Sequence, residues 1–149
     1  MAETLGMLCD KLTVVKLKEY HTADAARLQS LASQAHQLQE EIDEYIRDAA
    51  SGKILSERLT FASNKVFKKE GNTVEEVTGN FGDIFYRLAD VNCRLWHEQE
   101  KVYEFEKVEH GDKDNVVKQL SLLNLERNKC IDAINTQFMQ LIKTKNTQD

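Results

Sequence analysis

LADVNCRLWHEQEKVYEF, residues 88–105, decides how the chain is read. Placed on a helix, Phe85, Leu88, Asn92, Leu95, Gln99 and Val102 step by three and four residues onto one side. Two of the six are amides, so this stripe is a helical seam with polar insertions. Asp90, Cys93, His97 and Glu104 fall on the outer side, with Glu100 at its edge. Trp96, the single tryptophan, lies on the apolar side, where a core anchor whose indole N–H needs one acceptor is expected. The amides must find partners on a neighbouring helix, because each unmatched buried polar group costs about 1–3 kcal/mol.

Such neighbours are predicted on both sides. A first helix should run from about Glu3 to Tyr20, with Leu5, Leu8, Leu12 and Val15 in one stripe and Val14 and Leu17 on other sides. A helix apolar nearly all round is central in a bundle or faces another chain, which predicts a homodimer through helix 1. Thr22 is the expected N-cap of the second helix. That helix keeps the cleanest pattern in the chain, Leu28, Leu31, Ala35, Leu38, Ile42, Tyr45 and Ala49, and Gly52 supplies its left-handed stop. Residues 53–72 read as a long crossover held down by Leu59, Phe61 and Val66-Phe67, with a solvated lysine group at Lys65, Lys68 and Lys69. Thr73 and Glu76 match a capping box. The third helix should start at Asn80 and reach about Val108. Glu109–Asp112 turns the chain, and a fourth helix capped by Asp112 should reach about Lys143, with a frayed tail. Its seam reads Leu120, Asn124, Arg127, Ile131, Ile134, Phe138 and Leu141.

Folding the fourth helix back about Gly111 sets Leu88 by Ile134, Leu95 by Arg127 and Gln99 by Asn124. The spacing therefore predicts a buried polar layer of Asn92, Gln99, Asn124 and Arg127, with Glu98, Glu100 or Glu126 as counter-ion. Such a layer is a register device or a ligand site, the third reading being that the seams are assigned to the wrong faces. The two halves also echo each other at an offset of 76, where Gly6, Leu12, Val15 and His21 repeat as Gly82, Leu88, Val91 and His97. An aromatic-histidine pair, Tyr20-His21 and Trp96-His97, closes both halves.

Composition bounds the rest. The chain has 149 residues, no proline and six glycines, with 41% hydrophobic and 30% charged residues, which suits one soluble helical domain over residues 1–149. A net charge of −5 argues against nucleic acid as the partner. No apolar run is long enough for a signal peptide or a membrane span. Cys9, Cys93 and Cys130 are widely spaced with no CxxC, as for reduced thiols of a cytoplasmic protein. Asp90, Cys93, His97 and Glu100 or Glu104 form a column of metal-ligating types, but one helix rarely supplies a whole shell. No metal or other cofactor is expected. Glu40-Glu41-Ile-Asp-Glu44 reproduces the first half of the EExxE…ExxD carboxylate set of all-α nucleoside triphosphate pyrophosphatases. No second ExxD half is expected to follow, which would leave that Mg²⁺ shell incomplete. No catalytic residue is singled out.

NCRLWHEQE (Asn92–Glu100) and NLERNKCID (Asn124–Asp132) together resemble a bacterial all-helical family of unknown function. Its members carry an Asn-x-x-Leu-Trp-His-x-x-Glu/Asp helix followed by an Asn-x-x-Arg-Asn-x-x-Ile-Asp helix. DKLTVVKLK, from Asp10, is similar to the opening of related proteins. The resemblance implies a helical fold and a patch of Asn92, Trp96, His97, Glu100, Asn124, Arg127, Asn128 and Asp132, to which the seam adds Gln99. It implies no activity. The expectation is an all-α four-helix bundle of two antiparallel hairpins joined by a long crossover. Its expected role is a cytoplasmic interaction or scaffold protein, using helix 1 or the outer face of helix 3 for a protein partner. The competing role is a small-molecule or metal-binding module, hydrolytic at most, built on the polar layer.

Overall fold

A computed structural model describes residues 2–61 and 76–148. Among these residues it is an all-α bundle of four helices: α1 (Leu5–Tyr20), α2 (Ala25–Ala50), α3 (Phe81–Tyr103) and α4 (Lys113–Gln148). Val66, Phe67, the lysine group at 65–69 and the Thr73 capping box lie outside the described residues.

Local chemistry sets most helix ends. The Thr4 hydroxyl caps α1 by accepting from the Met7 N–H, so the helix starts at Leu5 rather than Glu3. Asp24, not Thr22, caps α2, accepting from the Arg27 N–H at 3.2 Å. Thr22 donates instead to the Lys18 carbonyl, closing the end of α1. Gly52 takes φ +83° and stops α2. At the start of α3 the Asn80 N–H donates to the Asp83 carboxylate at 2.9 Å. α3 ends at Tyr103, earlier than the apolar period suggests, and two short 3₁₀ turns, Phe105–Lys107 and His110–Asp112, carry the chain into α4. α4 stays helical to Gln148, well past Lys143. Near that end Lys145 donates to the Ala50 carbonyl, tying α4 to the C-terminus of α2.

α1 packs on α2, on α4 and, less extensively, on α3, while α3 packs most closely on α4. Much of the apolar circumference of α1 is thus used within the chain. The main core gathers Leu5 and Cys9 of α1, Ala49 of α2, Ile84 and Leu88 of α3, and Cys130, Ile131, Ile134, Phe138 and Ile142 of α4. Leu59 is fully buried in it and pins the crossover. A second cluster, Leu8, Val15, Ala35 and Leu38, joins α1 to α2. Along α2 the predicted stripe faces inward throughout.

On α3 and α4 the inward faces are turned from the predicted seams. Ile84, Leu88, Val91 and Asn92 are the buried residues of α3, whereas Phe85 and Gln99 are exposed. On α4 the buried set is Val116, Leu123, Cys130, Ile131, Ile134, Asn135, Phe138 and Ile142, with Asn124 and Leu141 outside. Each helix contacts two others, so its buried face is wider than one stripe and centred between neighbours.

The first turn of α1 is itself buried. Its free N–H groups need acceptors, and Asn135 of α4, 1% exposed, accepts from the Gly6 N–H at 2.8 Å. A Cβ on residue 6 would lie 2.5 Å from the Ile131 carbonyl oxygen and 2.9 Å from Asn135 Oδ1. Both are held in α4 and cannot give way. Gly6→Ala should therefore destabilise the chain by about 1–3 kcal/mol in denaturant unfolding. An unchanged midpoint would mean that α1 does not dock here.

Candidate functional site

Three helices contribute to the polar layer. Asn92 of α3, 3% exposed, donates through Nδ2 to Asp10 Oδ1 of α1 at 2.9 Å. Arg127 of α4 brings Nε to 4.0 Å from the same oxygen. That Nε is buried and has no hydrogen-bond partner. The counter-ion of Arg127 is thus Asp10, not Glu98, Glu100 or Glu126. Glu126 serves α3 instead, bonding Arg87 Nε at 2.9 Å and Arg94 Nη2 at 3.4 Å. Gln99 and Asn124, predicted in this layer, are exposed because of the turned faces of α3 and α4. A single acid flanked by Leu8, Cys9 and Leu12 was the signal in the sequence that could have found Asp10.

Beside the layer lie two buried thiols. Burial pushes Cys9 from 9.0 up to about 12, with the Asp10 charge adding to the effect. Burial likewise raises Cys130 to about 11. Neither is a nucleophile near neutral pH. Cys93 is exposed.

The α1–α3 edge is different. Trp96 is half-buried rather than a core anchor, and its indole N–H donates to Glu100 Oε1 at 2.9 Å. The His21 ring stacks on it at 4.8 Å and 11°. Tyr20 meets His21 edge-on at 5.2 Å and is 85% exposed. The residues that close the two echoing segments therefore lie against each other. Around them opens a groove of about 550 Å³, lined on α1 by Thr13, Lys16, Leu17, Tyr20 and His21. The α3 wall is Ala89, Cys93, Trp96, His97 and Glu100.

The predicted patch thus divides. Trp96, His97 and Glu100 share the groove; Asn92 and Arg127 share the layer with Asp10. Asn128 and Asp132 are half-buried on α4, Asp132 beside the segment Glu76–Gly79. Gln99 and Asn124 join neither. Among the described residues no three His, Cys, Asp or Glu side chains come together as a metal would require. In the proposed column, Asp90 pairs with Arg94 at 3.1 Å. Glu41 and Glu44 line a cleft with Glu3, Tyr45 and Asp48. Contrary to the expectation that no Glu-x-x-Asp follows, Glu109 and Asp112 have that spacing, but they sit in the exposed turn between α3 and α4. No helix among the described residues is long and apolar enough to cross a membrane. Comparison with family models, curated proteins and solved structures gives no match to this chain.

Removing Asp10 strands both Asn92 and Arg127. Asp10→Ala should cost about 1–3 kcal/mol, whereas Arg127→Met, which replaces the charge by apolar bulk, should be nearly neutral. In the double variant the Asp10 penalty should shrink; purely additive costs in a double-mutant cycle would dissolve the layer.

The thiols give a pH dependence. Their folded pKa values are raised, so their contribution is complete below about 9 and is lost as pH climbs toward 11–12, where the unfolded chain alone is ionised. One unit above the unfolded value, each thiol should account for about 1.4 kcal/mol of lost stability. Urea titrations on either side of pH 9 should show this loss, and Cys9→Val with Cys130→Val should flatten it; an unaltered slope would exclude the thiols as its source.

Proposed function

We propose that the chain is a non-catalytic interaction protein whose contact surface is the groove between the C-terminal half of α1 and α3. One observation carries this reading: the single tryptophan is half-buried beside an almost fully exposed tyrosine, both lining an open cleft. Large aromatic side chains with polar tips are enriched at protein interfaces and supply much of their binding energy. The groove joins helix 1 to the outer face of helix 3, the two surfaces that the sequence favours.

Other features agree. The buried thiols are protonated near neutral pH, and Asp10 supplies the polar layer with a hydrogen bond to Asn92 and a counter-charge for Arg127. The competing small-molecule reading needs Gln99 and Asn124 beside Asn92 and Arg127, and both are exposed. Homodimerisation through helix 1 is one form of the same reading, since residues 13–21 border the groove. A cytoplasmic setting suits three free cysteines. The resemblance to the bacterial family adds Trp96, His97 and Glu100 on the same wall.

Two exposed tyrosines make a controlled test, because Tyr20 lines the groove and Tyr86, 77% exposed, does not. A photo-crosslinking phenylalanine placed at either position, in whole cells, should capture a discrete partner from position 20 only. Trp96→Ala should abolish that capture. Equal capture from position 86, or capture that survives Trp96→Ala, would count against the groove. A thermal shift with a metal, nucleotide or phosphosugar that vanishes in Arg127→Met would move the function to the polar layer.

A further inference from the structure

α1 meets α3 at Asp10, which accepts from Asn92, and again at its far end, where the His21 ring lies on Trp96. The second contact is a true stack, with centroids 4.8 Å apart and planes at 11°. His21 is also the C-cap of α1, and its backbone N–H donates to the Leu17 carbonyl at 3.1 Å. The last carbonyls of a helix gather partial negative charge, which favours a cation beside them. The face of an aromatic ring does the same, and an indole does it best. Trp96 is further polarised, because its N–H donates to Glu100 Oε1 at 2.9 Å and leaves the ring richer in electrons. Imidazole is the side chain whose charge ordinarily changes between about pH 5 and 8. His21 therefore places a titrating ring where two separate features favour its charged form.

The surrounding charges do not reverse this. Lys16, Tyr20, His97 and Glu100 line the groove together with His21. Lys16 is turned to Glu19 at 3.4 Å, and Glu100 brings a carboxylate to the edge of the indole. His97 and Lys18 are exposed, where solvent and salt screen them. Tyr20 meets the imidazole edge-on, and Asp24 accepts from the Arg27 N–H at the start of α2. We infer that His21 and Trp96 form a pH-sensitive clasp, which holds the C-terminal end of α1 against α3 more firmly when the imidazole is protonated. The charged ring is favoured in the folded chain over the unfolded one. The added hold is thus complete at low pH and is lost as pH rises through the imidazole range. The clasp belongs to the fold and holds whether or not the groove takes a partner.

Urea unfolding of the full chain followed by circular dichroism, at about pH 8 and about pH 5.5, isolates the charge. His21→Gln keeps a polar side chain that takes no proton in this range, and the position is exposed. The ratio of unfolding constants, this variant over the unaltered chain, should be about threefold larger at the lower pH, the size of an exposed cation–π contact. In a Trp96→Leu background that factor should shrink below about twofold, leaving the share of the helix end. The single tryptophan gives a second readout in the folded chain. Its emission should titrate between about pH 5 and 8 in the unaltered chain and in His97→Gln, and should lose that titration in His21→Gln. A ratio equal at the two pH values, or larger at the higher one, overturns the clasp. A factor undiminished by Trp96→Leu overturns it as well, by placing the charge's partner elsewhere. So does an emission titration that follows His97 instead of His21.

Discussion

The bundle depends on how a helix end is buried. The first turn of any α-helix has N–H groups without intrahelical partners, and burying them unpaired is costly. In α1 the Thr4 hydroxyl answers Met7 from within the chain's own turn, and Asn135 answers Gly6 from two helices away. Only glycine lets the backbone come so close to the Ile131 carbonyl. This contact sets both the height and the rotation of α1 on α4. One turn further, Asp10 then arrives at the junction of α3 and α4, and Cys9 enters the main core. The C-terminal half of α1 lies along α3, and the groove is the space between them.

The charged groups follow from that placement. Two carboxylates organise four cationic or amide partners: Asp10 holds Asn92 and faces Arg127, while Glu126 holds Arg87 and Arg94. A partly buried layer of this kind adds little net stability, because desolvation offsets most of the attraction. Its effect is selective. A slip of α1 along α4 would strand Asn92 and Arg127 together with the Gly6 N–H, so polar matching and glycine packing enforce one register.

Around the groove the same physics leaves surface unmatched. α2 follows α1 into its C-terminal half, where Val15 packs with Ala35 and Leu38, while on the groove side that half meets α3, and less extensively. Tyr20, His21 and Trp96 accordingly pack on one another, and the indole takes its acceptor from Glu100 one turn away rather than from the core. A side chain that finds its polar partner on its own helix does not need the interior, and here His21 covers one face of the indole.

What the sequence by itself determined lies within a turn or two of helix. The four helices, the Asn80 and Gly52 boundaries and the whole inward stripe of α2 follow from caps, left-handed glycine and a three-four spacing, all of which act between near neighbours. Tertiary structure alone decided the rotation of α3 and α4. Ile84 and Phe85 are both apolar, as are Leu141 and Ile142, so either face satisfies the helical period. The choice falls to the neighbouring helices. It turned Gln99 and Asn124 outward, brought Asp10 to Arg127, extended α4 to Gln148 and opened the groove at Trp96. Each of these joins residues more than thirty positions apart or depends on such contacts, and periodicity along one helix carries no information about which helix lies opposite.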